Sequence, residues 1–338
     1  MVLGRASILF EKNIYIEETG SVAGQKEAAG PLGECFDEVA SDPLGGEKNW
    51  EQAESRMQRQ AVESVLRKSG VSVQNIRYVL GGDLLGQTIA TSFGAGSYDI
   101  PCMGLYSACA TMAEGLMLGA MLLEAGYGDH VLAVTSSHFA SAEKQFRFPL
   151  SYGNQRPYSA TWTVTGAAAV LLGRTGGAVR IAGVTTGRIV DLGIKDSMNL
   201  GAAMAPAAAD VIMQHFIDTD RQPDDYDRII TGDLGMVGMQ ALHELLLEEG
   251  VCPEKRLVDC GRIIYREDEQ DTHAGGSGCA CSALVLCAYI LRMLREGHWR
   301  RVLFVPTGAL LSQMSFYEGR TIPGIAHAIV LEAGVQCL

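Results

Sequence analysis

Cys109 is the residue of this chain whose type and setting best suit covalent chemistry. It stands in a run of small residues, Ser107–Ala110, that opens an apolar segment with helical spacing. Backbone N–H groups at a helix N-terminus lower the pKa of a thiol and favour its nucleophilic thiolate form. The alternative is a buried cysteine packed in an alanine-rich helix. The sequence therefore makes Cys109 both a candidate nucleophile and a candidate pocket residue.

Other chemical motifs are weak or absent. Cys279 and Cys281 flank one alanine, but a metal site would need more ligands, and His273 is the only histidine nearby. Packing of small residues at the start of a helix is the reading we favour for this pair. His243 and Glu244 lack the second histidine of an HExxH motif, and neither a phosphate-binding P-loop nor a GxSxG elbow occurs. We therefore expect no bound metal and no cofactor.

Two stretches of the chain repeat one order of strand, turn and helix. An apolar run enters a Gly-Asp-Leu turn at Gly82–Leu84 and again at Gly232–Leu234, 150 positions later (232 − 82 = 150). A turn rich in Gly, Ser and Cys then opens a helix that ends at glycine before an apolar strand, in residues 104–134 and again in 276–305. A repeat of this kind predicts a duplicated fold.

The spacing also predicts where the halves differ. Val131 and Val302 are 171 positions apart (302 − 131 = 171), so the second half carries 21 extra residues (171 − 150 = 21). We place them in the polar stretch Cys252–Thr272. The turn-rich stretch Gly173–Gly177 marks the boundary, which divides the chain into halves 1–175 and 176–338.

The remaining patterns predict an α/β protein with mixed sheets. Residues 49–68 have the apolar spacing of an amphipathic helix, with Asn49 as its N-cap and Gly70 just past its end. The apolar runs Val164–Leu172 and Ile325–Leu331 suit strands buried on both faces.

Composition excludes several functional classes. The net charge of −12 argues against a nucleic-acid binder and against a polybasic membrane-surface protein. Nine cysteines without regular spacing indicate a reducing compartment. Residues 1–10 lack the apolar core of a signal peptide, and the longest apolar runs are roughly nine residues, so we expect a soluble protein without a transmembrane segment.

Three motifs together resemble the thiolase superfamily, which includes the ketoacyl-synthase condensing enzymes. They are the Cys109 turn, the Gly/Ala-rich stretch Thr165–Val170 and the Gly-rich turn Gly275–Gly278. The resemblance implies a thiolase-like layered αβαβα fold of two pseudo-symmetric halves, in which two mixed sheets sandwich two central helices. It places Cys109 at the nucleophile position, at the start of the first central helix.

The chain departs from the condensing-enzyme pattern at two motifs. Those enzymes carry a histidine where this chain reads Thr231–Asp233, and a second histidine or an asparagine where it reads Gly275–Gly278. Without these side chains a thiolate lacks its general base and its oxyanion donors. We therefore expect a scaffold that keeps its pocket and has lost catalysis. One alternative is a thioester acyltransferase, condensing enzyme or hydrolase that uses Cys109. Another is a purely structural subunit that docks membrane partners and binds no ligand.

Short runs along nearly the whole chain look like one branch of this superfamily, the stage V sporulation protein AD family. These runs are AGPLG (29–33), KNWE (48–51), GDLL (82–85), TSSH (135–138), QFRFP (145–149), APAAAD (205–210), DYD (225–227), GGSGCACS (275–282), TGALLS (307–312) and IPGIAH (322–327). The resemblance implies a protein of endospore-forming bacteria that binds dipicolinic acid, pyridine-2,6-dicarboxylate. With small membrane proteins of the same transport system it would assist uptake of this molecule into the developing spore, held by them at the inner spore membrane. Whether calcium enters with the ligand, and whether two copies form a homodimer, stay open.

A planar aromatic dianion needs arginine forks or protonated histidines for its carboxylates and an apolar slot for its ring. The segment Ser136–Thr163 carries four candidate cations for these carboxylates: His138, Lys144, Arg147 and Arg156. We expect Lys144 and Arg156 to be solvated. Arg147 lies between two phenylalanines, and His327 is either a core histidine or a pocket residue. Asp83 and Asp233 occupy equivalent turns of the two halves, and we expect both to share a structural role, which is to cap the turn or the helix that follows. The residues proposed for the ligand site are Cys109, His138, Arg147, Asp233, Ser277 and His327.

Overall fold

The computed structural model of the protein describes residues 1–147, 150–152, 155–253 and 255–334. Phe148, one of the two phenylalanines beside Arg147, and Cys337 lie outside the described residues.

The strands, in chain order, are β1 (Val2–Leu3), β2 (Ser7–Leu9), β3 (Tyr15–Ala23), β4 (Glu38–Val39), β5 (Ile76–Gly82), β6 (Cys102–Gly104), β7 (His130–Ser137), β8 (Trp162–Thr163), β9 (Gly166–Gly173), β10 (Val179–Thr185), β11 (Arg228–Thr231), β12 (Leu257–Asp259), β13 (Gly276–Ser277), β14 (Arg301–Val305), β15 (Thr307–Ala309), β16 (Gly324–Ala326) and β17 (Ala328–Ala333). The helices are α1 (Gln25–Ala28), α2 (Trp50–Ser69), α3 (Ile89–Ala95), α4 (Thr111–Glu124), α5 (Phe139–Phe146), α6 (Leu200–Thr219), α7 (Gly235–Glu248), α8 (Cys260–Ile263), α9 (Cys279–Val285), α10 (Leu291–Arg295) and α11 (Gln313–Tyr317).

Each half contributes five strands in the same order and with the same directions. The first half pairs β3-β9-β7-β5-β6 and the second pairs β10-β17-β14-β11-β12. In both, the first two pairings are antiparallel and the last two are parallel. Among the described residues, backbone pairing joins the two sets of strands at one place, a two-residue pairing between β3 and β10. The duplication predicted from the sequence is therefore present strand by strand.

The strand register confirms the predicted offsets. Tyr78 lies opposite Val131 in the first half, and Arg228 lies opposite Val302 in the second. These partners are separated by the same 150 and 171 positions as the sequence motifs (228 − 78 = 150; 302 − 131 = 171). Most of the extra residues follow β12, where α8 and the loop to residue 275 lie within or beside the predicted stretch.

The layers follow the αβαβα order that the thiolase resemblance implies. The central helices are α4 and the α9–α10 rod, which contains a π-helical turn at Leu286–Ile290, and they contact each other between the two sheets. Helix α2 covers the outer face of the first sheet, and α6 with α7 covers that of the second. Alternate residues of one strand enter different cores: Ile229 packs under α6 and α7, whereas Ile230 packs in the central layer. Both sheets are thus buried on both faces.

Local signals predicted several helix and strand limits. The Asn49 side chain accepts a hydrogen bond of 2.8 Å from the Gln52 N–H, and Gly70 ends α2 with a φ of +66°. The run Ile325–Leu331 forms parts of two strands that are separated at His327. The first, β16, pairs with β15, and the second, β17, pairs with β14 in the main sheet. The single strand predicted there was wrong.

In the described part of the chain, α6 is long and apolar enough to cross a membrane by length and composition alone. However, 56% of its most apolar window is buried inside the fold, where α6 packs on α7 and β16. A core helix of a globular protein passes the same test, so α6 is weak evidence for a membrane span.

Candidate functional site

A cavity opens beside Cys109, where loops and helices from both halves converge. It encloses about 750 Å³, its open mouth included. Leu84 follows β5, α5 follows β7, and Ser277 precedes the central helix α9, so its walls stand at the carboxyl ends of the half-one strands and at the start of a half-two helix. The described residues that line it are Leu84, Ala108, Cys109, Ala142, Glu143, Phe146, Arg147, Ala160, Thr161, Thr163, Ser197, Met198, Leu200, Met204, Ser277, Gly278, Ala309 and Leu311.

The backbone before Cys109 has an uncommon conformation. Ala108 has a φ of +47°, in the left-handed region that non-glycine residues rarely adopt. The Ala108 carbonyl accepts a 2.6 Å hydrogen bond from the Thr111 hydroxyl, and a Cβ at Gly308 would lie 2.2 Å from the Ser107 carbonyl oxygen. Surrounding contacts of this kind hold a strained turn in place, as at many functional sites.

Cys109 faces a hydrogen-bonded pair at the rear of the cavity. Its Sγ lies 3.9 Å from the Oγ of Ser277, and that hydroxyl donates a 2.6 Å hydrogen bond to Asp233. Asp233 also accepts a 2.7 Å hydrogen bond from the Thr307 hydroxyl and one of 3.2 Å from the Gly278 N–H. Burial raises the pKa of the Asp233 carboxyl despite these donors.

The thiol of Cys109 is held in its neutral form. Burial raises its pKa well above the ordinary value, and the negative charge of Asp233 adds to the effect. The expectation that a helix N-terminus would lower this pKa was wrong, because α4 begins only at Thr111 and desolvation dominates. The residues that line the cavity include no histidine in the described part of the chain, so no imidazole base stands ready to take the proton.

The two aspartates of the repeated turns have different roles. Asp83 accepts hydrogen bonds from the N–H groups of Leu85 and Thr91, at 2.9 and 2.8 Å, and so caps its turn and α3 as expected. In the second half the equivalent turn is capped by Asp259, which accepts hydrogen bonds from the N–H groups of Leu234 and Gly235. The capping role predicted for Asp233 was therefore wrong, and its carboxyl is free to reach Ser277.

Arg147 and Glu143 form the charged wall of the cavity. Arg147 Nε and Nη2 donate to the two oxygens of Glu143 at 2.7 and 2.9 Å, as an i,i+4 pair at the end of α5. Both side chains are largely buried, at 12% and 14% exposure. The remaining nitrogen, Nη1, contacts the sulfur of Met198 on the opposite segment. Glu143 was missed from the sequence, although its four-residue spacing from Arg147 was a usable signal.

The two candidate histidines lie outside the lining of this cavity. His138 caps α5, with Nδ1 accepting from the Ala140 N–H at 3.1 Å and Nε2 bonded to the Pro43 carbonyl at 2.8 Å. His327 accepts a 3.2 Å hydrogen bond from the Gly187 N–H. Burial lowers the pKa of both rings, that of His327 to about 4, so neither supplies a positive charge at neutral pH.

The remaining sequence candidates have structural contacts. Lys144 is exposed and pairs with Glu51, as expected. The prediction that Arg156 is solvated was wrong: only 9% of its side chain is exposed, because it bonds Asp271 and lies 4.9 Å from the Trp162 ring centroid. His273 is a loop residue bonded to the Pro157 carbonyl.

The cysteine pair packs as we favoured. The Sγ atoms of Cys279 and Cys281 donate to the carbonyls of Ala108 and Gly232. No group of three or more His, Cys, Asp or Glu side chains in the described residues is arranged to hold a metal ion.

Comparison with known sequences identifies the family. The family described as Stage V sporulation protein AD (SpoVAD) matches residues 4–332. Stage V sporulation protein AD of Bacillus subtilis (strain 168) is 44% identical over 329 residues, which cover 97% of each chain.

Solved structures with low sequence identity show the same fold. A histidine-to-aspartate variant of Xanthomonas campestris OleA has a TM-score of 0.60 at 14% identity, covering 96% of this chain and 100% of that one. A glutamate-to-aspartate variant of the same OleA, bound with cerulenin, has a TM-score of 0.61 at 16% identity, covering 96% and 98%. ChlB3, titled an acyltransferase, has a TM-score of 0.58 at 14% identity, covering 95% and 98%. These neighbours establish the thiolase-like fold.

Proposed function

The chain belongs to the stage V sporulation protein AD family, and from that premise we propose that its cavity binds dipicolinic acid and that the protein assists uptake of this molecule into the developing spore. The observation that carries the proposal is a cavity whose described lining residues combine apolar side chains with the Arg147–Glu143 pair and include no histidine, beside the neutral thiol of Cys109.

The walls of the cavity suit a flat aromatic acid. Leu84, Phe146 and Leu311 present apolar surface that a pyridine ring can cover. Thr161 and Thr163 add hydroxyl groups at the rim. A slot that is mostly apolar, with few polar groups that fix orientation, is typical of small-molecule sites.

Arg147 is the group that we assign to a ligand carboxylate. Its guanidinium has five N–H donors, and the bonds to Glu143 engage Nε and Nη2. The remaining nitrogen contacts only the weak acceptor sulfur of Met198 in the described residues. A carboxylate that displaces this contact gains a charge-assisted hydrogen bond in a largely buried setting.

The same site does not favour acyl transfer. A thioester reaction needs a thiolate, and burial together with Asp233 keeps the Cys109 thiol protonated. Ser277 and Asp233 stand in the two motifs where condensing enzymes carry their histidine and asparagine, and the negative charge of Asp233 opposes ionisation of the thiol. The strained turn at Ala108 is the one feature that favours the alternative, a Cys109-dependent thioester enzyme.

A calorimetric titration of the full chain separates these functions. Dipicolinate, with and without calcium, and acetyl-coenzyme A are the three titrants, and benzene-1,3-dicarboxylate is the control that lacks the ring nitrogen. We expect saturable binding of dipicolinate in at least one form and no acetylation of Cys109 by mass spectrometry. Binding of acetyl-coenzyme A alone, with acetylated Cys109, would replace the proposal with the alternative.

Membership of the family also supports a proposal about the cellular setting. We propose that the protein acts in the forespore, bound at the inner spore membrane through small membrane proteins of the same transport system. Fractionation of sporulating cells tests this: the protein should leave the membrane fraction when the genes for those proteins are deleted. Retention in the membrane fraction would contradict it.

A further inference from the structure

Glu54 of α2 is a buried carboxyl beneath α5, a helix that forms one wall of the cavity. The residue is 1% exposed. One of its oxygens accepts a hydrogen bond of 2.9 Å from the Ser136 hydroxyl of β7, and the other accepts one of 2.8 Å from the Ser141 hydroxyl of α5. Four residues of α5 line the cavity, beginning directly after Ser141: Ala142, Glu143, Phe146 and Arg147.

The hydrogen bonds of this carboxyl continue to a second part of the cavity wall. Ser136 accepts one of 2.8 Å from the Gln58 amide, which also donates to the Thr91 hydroxyl at 2.9 Å. The Thr91 hydroxyl donates in turn to Asp83 at 2.6 Å. Asp83 precedes Leu84, which lines the cavity. One buried network thus connects α5 with the turn after β5.

The charges around Glu54 oppose its ionisation. Burial raises the pKa of Glu54 to about 8, and the carboxyls of Asp83, in the turn after β5, and of Glu51, also on α2, add to the effect. Lys144 of α5 is already paired with Glu51. The Cys279 thiol of α9 also stands near Glu54, and burial keeps this thiol neutral.

The other elements packed on Glu54 supply no positive charge to it. His138 caps α5, and burial lowers the pKa of its ring, so the ring is neutral at neutral pH. Glu143 and Arg147 of α5 are paired with each other on the cavity side. Residues 131–137 of β7 and all residues of α3 are uncharged. Among the described residues, an ionised Glu54 therefore has hydroxyl donors and no cation.

The proton of a neutral Glu54 has an acceptor within reach. The Ser141 hydroxyl lies 3.1 Å from the His138 carbonyl at the start of α5, besides its contact with Glu54. When Glu54 is protonated, its O–H can donate to the Ser141 oxygen while the Ser141 hydroxyl donates to this carbonyl. When Glu54 loses the proton, Ser141 must turn to the carboxylate, and a charge stands buried beside Asp83 without a cation.

Resting on the proposed function, we propose that Glu54 is a positioning residue: while it is protonated, it holds α5, and with it Arg147, in the arrangement that binds the ligand. Helix α5 has eight residues and ends beside Arg147, so a shift of its first turn moves this wall of the cavity. Ligand binding and proton binding then favour each other. The affinity for the ligand is complete below about pH 8 and falls as the pH rises above it, because the free protein loses the proton that the bound form keeps.

The test is a calorimetric titration of the full chain with dipicolinate in excess calcium at about pH 7, 8 and 9, for the wild type and for Glu54→Gln. The carboxyl groups of the ligand are ionised throughout this range. If binding makes Glu54 about tenfold harder to ionise, the wild type should bind about fivefold more weakly at pH 9 than at pH 7. At about pH 8.5 each ligand should take up about half a proton, which the heats in two buffers of different ionisation enthalpy measure.

Glu54→Gln keeps the shape of the neutral acid and cannot lose a proton. Its affinity should not fall between pH 7 and pH 9, and it should take up no proton on binding. The pKa of Asp233 is also raised by burial, but Asp233 is present in both proteins, so the difference between them isolates Glu54.

Two serine variants form a matched pair that decides the question even if Glu54→Gln does not fold. Ser141→Ala and Ser136→Ala each remove one hydroxyl from Glu54, but of the two only Ser141 belongs to α5. We expect Ser141→Ala to abolish the proton uptake and Ser136→Ala to retain it. A wild-type affinity that does not change with pH, the same fall in Glu54→Gln, or equal proton uptake in the two serine variants would overturn the inference and leave the proposed function standing. Failure of the wild type to bind dipicolinate at every pH would overturn the proposed function itself.

Discussion

Ser277 donates its hydroxyl hydrogen bond to Asp233 at 2.6 Å, and through this contact the two motifs that depart from the condensing-enzyme pattern are joined at the rear of one cavity. Asp233 can make this contact because Asp259, on the neighbouring strand β12, caps the turn that Asp233 would otherwise cap. The negative charge that results stands near Cys109 and opposes its ionisation. These contacts therefore produce a site that stabilises the neutral form of the Cys109 thiol.

Removal of the charge on Asp233 should make Cys109 more reactive. In Asp233→Asn the pKa of the thiol should fall, because a carboxylate that raises it is gone. We expect iodoacetamide to alkylate Cys109 several-fold faster than in the wild type, as followed by mass spectrometry of the intact fold. Cys102, which is exposed, serves as the internal control and should react at an unchanged rate. An unchanged Cys109 rate would show that desolvation alone sets its pKa.

Glu54 should make the protein less stable in alkaline solution. It is buried between Ser136 and Ser141, which donate hydrogen bonds of 2.9 and 2.8 Å, and burial together with Asp83 raises its pKa to about 8. Because the folded pKa lies above the unfolded value of 4.5, the protonated form stabilises the fold. This contribution is complete below about pH 4.5 and is lost as the pH rises through about 8.

Denaturant unfolding between pH 5 and 9 measures this effect. The unfolding free energy should fall by up to about 1.4 kcal/mol per pH unit from this group in that window. Glu54→Gln keeps a polar side chain of the same shape without the titration, so the difference between wild type and variant should shrink as the pH rises. A difference that does not change with pH would contradict the prediction.

The sequence predicted those parts of the fold that depend on local signals. The Asn49 cap, the Gly70 terminus and the repeated Gly-Asp-Leu turns each occupy a few consecutive residues, and the structure confirms them. It did not predict contacts between distant segments. The Arg156 side chain is only 9% exposed because Asp271 and Trp162 contact it in space, and Asp271 lies 115 positions away in the sequence.

The candidate site shows the same division. Cys109, Arg147 and Ser277 line one cavity, because the central helices and α5 converge there. His138 and His327 each use a ring nitrogen to accept a backbone N–H, which no pattern in the sequence records. The number of histidines and arginines in the sequence was therefore a poor guide to the positive charge of the cavity.

The edge strand β6 should pair with a second copy of the chain. All three of its residues are exposed, whereas those of β12, the equivalent edge of the second half, are at least partly buried. Phe93 and Met103 are exposed beside the edge, at 67% and 40%, and residues 84–106 carry a single charge, Asp99. An apolar edge with little charge lets two acidic molecules approach each other closely.

Light scattering on a sizing column measures the expected homodimer. Phe93→Asp should convert it to monomer, because the charge would be buried in the interface. Ile217→Asp, a change at an equally exposed apolar residue on α6 in the second half, should not. A monomeric wild type, or dissociation by both variants, would contradict the pairing of β6.

Arg147 should carry the recognition of a ligand carboxylate. Arg147→Ala removes a charge-assisted hydrogen bond in a site where the side chain is 12% exposed, a loss of about 1.5–3 kcal/mol or roughly 10- to 150-fold in affinity for dipicolinate. Arg147→Lys should recover only part of it, because an ammonium cannot reproduce the planar fork that also binds Glu143. Calorimetry with dipicolinate in excess calcium gives the three affinities.

The control for Arg147 is a cation on the same helix that faces solvent. Lys144→Ala removes the same charge from α5, but its ammonium is bonded to Glu51 outside the cavity, so the affinity should change by less than about twofold. Pyridine-2-carboxylate adds a second comparison: if its single carboxylate binds at the far end of the slot, Arg147→Ala should weaken it much less than dipicolinate. Equal losses in the Arg147 and Lys144 variants would indicate diffuse electrostatics in place of a direct contact. An unchanged affinity in Arg147→Ala would remove this residue from the site. The described lining residues include no histidine or lysine that could take over its charge.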